Sequence, residues 1–299
     1  MLLKKLELNN SLAVSKTREF RMRSSPDGMI DSNFHHYKNN FPYYGYVDVK
    51  CHESNFLMLS NNDDIVAMTY FWFGDDSYEK LSTKLWALCS SRSRVVYDVG
   101  SYTGLYSFIA ASVSANSVIH AIEPSRRTFG RLISNIYVNA LVDRVVPHCV
   151  AISNERGYLN FNEFRGLNIL GCGDSLKIKE HVEVARNDEV VHVITLDDFS
   201  KDVGALPDLI KIDVEESEFD VIKFSEGVLI KRPIVVVEVT KNSYLSLIDF
   251  LSTYDYIYYF INDSSVSLST LPEKEINVFN MIFIHKSDDR FEVISNYLP

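Results

Sequence analysis

The sequence predicts an α/β protein built on a doubly wound, mostly parallel sheet. Three observations carry this. From Ser93 onward, short apolar segments alternate with amphipathic ones, the pattern of successive βαβ units. Two late segments, "DLIKIDV" and "IVVVEV", are apolar without alternation, as strands buried on both faces are. The chain ends in "YDYIYYFI" and "NVFNMIFIHK", two strand-like runs spaced for an antiparallel pair.

The elements follow in order. Residues 1 to about 42 are polar and of mixed charge, with the turn signal "SSPDG", and predict a peripheral helical or irregular extension. From Tyr43 to Phe73 the runs "YYGYVDVKC", "NFLML" and "IVAMTYFWF" read as three strands, the last two separated by "NNDD". "DDSYEKLSTKLWALCSS" predicts a helix capped by Asp75 or Asp76, with Leu81, Leu85 and Leu88 on one face. "RVVYDV" is a strand, "GLYSFIAASVS" a helix and "SVIHAIE" a strand. "PSRRTFGRLISNIYVNA" is a helix with Pro124 at its first position. "RVVPHCVAIS" is a strand that Pro147 confines to an edge or a bend. "ESEFDVIKFSEGVLIK" supplies a helix between the two buried strands. The expected division is a β-rich cap over residues 1–74 and one α/β domain over residues 75–299.

Composition narrows the functions. With 299 residues and 46% hydrophobic content the chain can bury a sizeable core. A formal charge of -10 and a pI near 5.3 speak against nucleic acid and against an anionic membrane as partners. No run approaches the length of a membrane span, and the N-terminus lacks the apolar core of a signal peptide. Cys51, Cys89, Cys149 and Cys172 are scattered without a Cys-x-x-Cys pair, which predicts free thiols in a reducing cytoplasm and no metal site.

The informative stretch is "VVYDVGSYTGLYSF", Val95 to Phe108. Ligands of open α/β sheets bind at the carboxyl ends of strands, and dinucleotide sites place glycines there to admit a pyrophosphate. Here Asp98 takes the first position of Asp98-Val-Gly100-Ser-Tyr-Thr-Gly104. A carboxylate would repel a diphosphate, so the loop calls for a nucleoside ligand that carries positive charge. S-adenosylmethionine has that chemistry. The next strand ends in Glu123, 25 residues beyond Asp98, where an acid can accept hydrogen bonds from both ribose hydroxyls.

These motifs resemble those of the FkbM family of class I, Rossmann-like S-adenosylmethionine-dependent methyltransferases. "DVGSYTGLYS", "IEPS", "RLISNIYVN", "VITLDDF", "DLIKIDVEESE" and "PIVVVEV" are similar to successive family motifs, and "GDDSYEKLST" to its Gly…Tyr-Glu element. The likeness covers roughly residues 75–285. The chain departs from it with Ser101-Tyr102-Thr103 inside the loop, and with Glu216 in place of the glycine of the DVEG stretch. The resemblance implies a methyl acceptor with a hydroxyl, on a sugar, a glycan precursor or another secondary metabolite; acceptors with nitrogen, or a binding subunit without catalysis, are the alternatives.

The cofactor-binding set expected on this chain is Asp98, Gly100, Tyr102, Thr103, Gly104, Glu123, Pro124, Ser125, Ala151 and Asp213. Methyl transfer from a sulfonium needs positioning and removal of one proton, for which Asp213, Glu215 and Glu238 at later strand ends are the candidates. Asp213 and Glu215 are expected to diverge where the chain turns at Glu216, and Glu216 to stand beside the acceptor. Asp213 with Glu238 also has the topology to hold Mg²⁺, which is not the favoured reading. His120 and His192 lie in strands and predict packing, while His148 and His181 have room to approach the cleft without any spacing that singles them out. The oligomeric state stays open, a homodimer included.

Overall fold

The computed structural model describes residues 2–24, 30–162, 169–171, 175–176, 189–272 and 277–298. The chain opens with α1 (Leu2–Arg23) and α2 (Ser32–Asn40). Asp31 starts α2 by accepting the Phe34 amide at 2.8 Å. The two helices bring Phe20, Phe34 and Tyr37 against Trp72 and Phe73. An antiparallel hairpin follows, β1 (Gly45–Cys51) and β2 (Ser54–Ser60).

The third expected strand, "IVAMTYFWF", is instead a helix, α3 (Ile65–Phe73). Its β-branched and aromatic content favoured a strand, but an apolar run without alternation suits a helix buried all round equally well. Two facts decide it: the Asp64 carboxylate caps the first turn through the Ala67 amide at 2.9 Å, and seven of its residues are buried. Among the described residues, the first 74 positions thus hold three helices and one hairpin. They share a continuous apolar core with one face of the main sheet, where Trp72 and Met58 meet Trp86, Ile109 and Ile119.

The next helix, α4 (Lys80–Ser90), begins later than Asp75 or Asp76 would place it. Asp76 is bound to the hairpin turn, accepting the His52 amide. The open amides of α4 are served from far along the chain. Asp263 accepts from Leu81 N at 2.6 Å, Ser82 N at 2.8 Å and Ser82 Oγ at 2.8 Å.

Then come β3 (Val95–Val99), α5 (Leu105–Val113), β4 (Val118–Ile122) and α6 (Arg126–Val138). Ser125 rather than Pro124 marks the start of α6, its hydroxyl accepting the Thr128 amide. The single strand expected around Pro147 divides into β5 (Val145–His148) and β6 (Ala151–Ile152), which belong to different sheets. Pro147 does lie on an edge, since among the described residues β5 pairs only with β4. β7 (Gly157–Phe161) and β8 (Glu189–Ile194) join β6 in a three-stranded sheet of order β6-β8-β7. After α7 (Leu196–Val203) and β9 (Leu209–Ile212), the expected single helix is two short ones, α8 (Glu218–Lys223) and α9 (Glu226–Leu229). The chain finishes with β10 (Ile234–Thr240), α10 (Tyr244–Ser252), β11 (Tyr256–Asn262), β12 (Ser267–Ser269), β13 (Val278–His285) and α11 (Phe291–Ser295).

The main sheet has the order β12-β11-β13-β10-β9-β3-β4-β5, with β13 antiparallel to β10 and to β11. The chain winds outward from β3 to β4 and β5, then returns to lay β9 on the other flank of β3. That reversal between β3 and β9 opens a crevice at the carboxyl ends of the strands. A second apolar core covers the opposite face beneath α7 to α10. Among the described residues, no helix is long and apolar enough to cross a membrane.

One device ties the hairpin to this sheet. Arg131 and Asn135 of α6 and its C-terminal cap Asn139, four residues apart and so on one helix face, meet the backbone of β2. Asn139 exchanges two hydrogen bonds with Leu57, both 2.8 Å, and Asn135 accepts the Leu59 amide at 2.8 Å. Arg131 donates to the Leu59 carbonyl at 2.8 Å. The helix face acts as the missing neighbour of a strand.

The long-range cap gives a direct test. Asp263→Ala leaves two helix amides and a hydroxyl without their acceptor, which should cost about 2 kcal/mol. Urea denaturation measures it, and an unchanged midpoint would contradict the role given to Asp263.

Candidate active site

The cleft lies where the strand order reverses, and it encloses about 1200 Å³ including its open mouth, ample for a nucleoside-sized ligand. Its wall includes Asp98, Gly100, Tyr102, Glu123, Pro124, Ala151, Asp213, Glu215 and Glu238. So the expected binding and catalytic residues converge from the ends of β3, β4, β9 and β10, with Ala151 arriving from β6. Thr103, Gly104 and Ser125 are not on this wall; they build the frame behind it. The Thr103 carbonyl accepts from Asn135 Nδ2 at 2.9 Å. Gly104 starts α5 at φ +108, where a Cβ would lie 2.5 Å from the Phe108 ring. Ser125 starts α6 and donates its amide to Glu123 Oε1 at 2.9 Å.

The loop after β3 is held from both sides. The Gly100 and Ser101 amides both donate to the Ile122 carbonyl, at 2.9 and 3.0 Å, and the Asp213 amide donates to the Val99 carbonyl at 2.9 Å. Gly100 itself sits at φ +81, with the Asp213 carbonyl oxygen 1.8 Å from where a Cβ would stand. Only glycine fits there. Tyr102 N donates to Glu123 Oε2 at 3.1 Å, so each oxygen of the Glu123 carboxylate takes a backbone amide and its orientation is set.

Deeper in the cleft, acids surround one cation. Asp98 and Lys211 are register partners on adjacent parallel strands, so their side chains emerge on the same face. Asp98 is buried and accepts from Ser107 Oγ at 2.6 Å; burial pushes its carboxyl up to about 6 despite that bond. Lys211 is buried with Nζ 3.2 Å from Asp213 Oδ2 and 5.1 Å above the Tyr106 ring. Burial opposes its charge, but Asp213, Glu79 and Glu238 outweigh this and hold its pKa above the usual lysine value. Glu79 is partly exposed as a residue, yet its carboxyl lies deep among protein atoms and accepts from Tyr106 Oη. Desolvation pushes it up to about 7. The charge of Asp213, followed by burial, pushes Glu238 well above the ordinary carboxylate range.

The family profile described as "Methyltransferase FkbM domain" matches residues 98–258, just over half of the chain. The chain belongs to the FkbM methyltransferase family. It is accordingly an S-adenosylmethionine-dependent methyltransferase on a class I fold. No curated protein matches it. Among solved structures, it is similar to an S-adenosylmethionine-dependent methyltransferase from Agrobacterium tumefaciens, with 10% identity, TM-score 0.46, and 81% of this chain and 70% of that one covered. It is also similar to precorrin-6y C5,15-methyltransferase from Geobacter metallireducens, with 13% identity, TM-score 0.40, and 70% and 88% covered. A third is an O-methyltransferase from Bacillus cereus in complex with S-adenosylhomocysteine, with 14% identity, TM-score 0.39, and 68% and 80% covered. At such identities and scores these likenesses say nothing of the acceptor.

The departure of this FkbM chain at Glu216 has a plain backbone reading. Glu215 and Glu216 both adopt left-handed conformations, at φ 54 and 76, where a side chain is strained and glycine is not. Glu216 is exposed and off the cleft wall, so it does not stand beside the acceptor as the sequence suggested. Nor do Asp213 and Glu215 diverge: both line the cleft. Glu218 folds back under the turn, its Oε1 accepting the Glu216 amide at 2.8 Å. His148 stays out of the cleft, its ring stacked on His120 with Nε2 3.0 Å from His120 Nδ1. His181, Cys172 and most of the loop from Arg165 to Asp174 lie outside the described residues.

Several wall residues had no signal of their own in the sequence. Phe161 arrives from β7 in the smaller sheet, and Val150 and Ile152 flank Ala151; nothing local marks them. Tyr78 and Tyr106 stood inside the quoted motifs "GDDSYEKLST" and "DVGSYTGLYS" but were not singled out. Beside the strand-end acids themselves, a lysine in a buried strand, Lys211, needs a carboxylate partner and so also pointed to the acid cluster.

Gly100→Ala tests the close approach. Its methyl group and the Asp213 carbonyl cannot both keep their places, so stability should fall by about 3 kcal/mol or more. The melting temperature should drop by several degrees, and an unchanged value would contradict this geometry.

Proposed function

We propose that this methyltransferase acts on a hydroxyl of a sugar, a glycan precursor or another secondary metabolite. The supporting observation is the acid cluster of Asp213, Glu215 and Glu238 on the same wall as Asp98 and Glu123, with one buried lysine among them. Such a wall suits a polyhydroxylated, uncharged acceptor and repels phosphorylated ones.

The residues present fit S-adenosylmethionine. Gly100 lets the chain pass close beneath a ligand, Asp98 offers a buried carboxylate for a cationic group, and Ile122, Val150, Ile152 and Phe161 give an apolar wall for a base. In our reading Glu123 accepts the ribose hydroxyls, Asp98 faces the ammonium end, and Tyr102, Pro124 and Ala151 complete the walls. When bound, the cofactor supplies a methyl group already activated on a sulfonium.

Asp213 is assigned the proton transfer. An acceptor oxygen becomes acidic as it gains a methyl group, so a positioned carboxylate suffices even beside the Lys211 ammonium. Lys211, 3.2 Å from Asp213 Oδ2, holds that carboxylate in place. Glu238, whose carboxyl the charge of Asp213 and burial raise well above the ordinary range, is assigned a hydrogen bond to the acceptor, and Glu215 anchors a second hydroxyl of it.

Asp213→Asn preserves shape and removes basicity. With methyl-labelled cofactor and a cell extract as acceptor source, the initial rate should fall by roughly 10²-fold, while affinity for S-adenosylhomocysteine stays nearly constant. An unchanged rate would remove Asp213 from the mechanism. A rate that depends on added Mg²⁺ would favour the metal alternative, and label appearing on nitrogen would overturn the hydroxyl assignment.

A further inference from the structure

Away from the cleft, a second cluster of ligand-type side chains gathers where the turn between β1 and β2 meets the segment joining α3 to α4. One ligand atom from each of Cys51, His52 and Asp76 lies within 4.8 Å of the other two. Among the described residues no other three such side chains assemble in this way. The sequence set the cysteines aside because they lack paired spacing, but Cys51 has His52 beside it and gains Asp76 through the fold.

Hydrogen bonding fixes which nitrogen of His52 is available. Its Nε2 lies 3.0 Å from Thr83 Oγ1, and the Thr83 hydroxyl spends its own hydrogen on the Glu79 carbonyl at 2.9 Å. Thr83 therefore accepts, Nε2 carries the hydrogen, and Nδ1 presents a lone pair. That lone pair faces Asp76 Oδ1 across 3.4 Å. Two acceptors facing each other need a positive charge between them. The span also matches the edge of a tetrahedron with metal–ligand bonds of 2.0–2.1 Å, about 3.4 Å. The partner on Nε2 is the orienting contact that metal-bound histidines have.

Tyr70 is the independent observation. It is 3% exposed, and its hydroxyl meets the Cys51 thiol, near enough to Asp76 to feel its charge. A buried hydroxyl with no partner stronger than a thiol is costly, and here that thiol is one of the three ligand groups.

The geometry points to a site for one zinc-class divalent cation, bound by Cys51 Sγ, His52 Nδ1 and Asp76 Oδ1 with the Tyr70 hydroxyl or a water in fourth place. A sulfur, nitrogen and oxygen donor set selects Zn²⁺ or Co²⁺ over Mg²⁺ and Ca²⁺. The Cys51 thiol releases its proton to solvent on binding. Cys51 is fully buried, but the Asp76 side chain is 38% exposed, so the ion arrives from that side. Bound there, it pins the hairpin turn to the segment that delivers Tyr78 to the cleft wall and Glu79 to the buried acid cluster. The site is independent of the acceptor reading.

Full-length protein, stripped by a chelator and desalted, should bind one equivalent of Co²⁺ with sulfur-to-cobalt charge transfer and the visible bands of a tetrahedral ion. Zn²⁺ should displace it and raise the melting temperature. Asp76→Asn should weaken Co²⁺ binding at least about tenfold, and Cys51→Ser should abolish the charge-transfer band. Cys149→Ser, which removes an exposed thiol, should leave it intact. Retained binding of S-adenosylhomocysteine verifies that each variant is folded, and Asp76→Asn decides alone should Cys51→Ser unfold. Wild-type protein without the band overturns the proposal. So does Co²⁺ affinity left unchanged by Asp76→Asn, or a band that vanishes with Cys149→Ser.

Discussion

Everything in the cleft depends on how closely the loop after β3 approaches the end of β9. Gly100 lies at φ +81 against the Asp213 carbonyl, and the loop amides are committed to the Ile122 carbonyl on the other side. Three neighbouring strands are thereby locked at their carboxyl ends, where the strand order reverses. Asp98, Glu123 and Asp213 each stand at one of those ends, so their separations follow from sheet geometry rather than from loop conformation. This is the sense in which the site is preorganised.

The second constraint is electrostatic. A buried lysine with a single partner would be a poor bargain, but Lys211 serves Asp213, Glu79 and Glu238 together, and each of them depends on it. The cluster carries more carboxylates than cations, so it is strained without a positive ligand. Burial raises the Asp98 and Glu79 carboxyls, and the charge of Asp213 followed by burial raises Glu238, so all three sit above the usual carboxylate range. A site that holds its acids half-ready to ionise favours a cationic cofactor and disfavours a diphosphate.

Much of this was legible in the sequence, and the exceptions share a cause. The acid at Asp98, the second acid at Glu123 and the apolar strands "DLIKIDV" and "IVVVEV" are local signals, and the fold uses them as read. The run "IVAMTYFWF" failed because its periodicity is silent; the Asp64 cap and burial on all sides decided for helix. The cap on α4 comes from Asp263, some 180 residues away, beyond any local pattern. Asn135 and Asn139 were visible as a spacing, but their purpose, hydrogen bonding a strand edge, needs the hairpin in place. Cys51 and His52 were adjacent in plain view, while Asp76 joins them only through the turn.

The central claim is that the strand-end carboxylates form a cofactor site for a cationic nucleoside. Calorimetric titration with S-adenosylhomocysteine from pH 5 to 8, with NAD as the comparison, tests it most directly. In the proposed reading an ionised Asp98 pairs with the ligand ammonium, and burial pushes its carboxyl up to about 6. Affinity should therefore rise as pH passes upward through about 6 and then level off, with NAD binding at least roughly tenfold more weakly. Equal affinity for NAD, or an affinity that increases toward acid pH, would contradict the account.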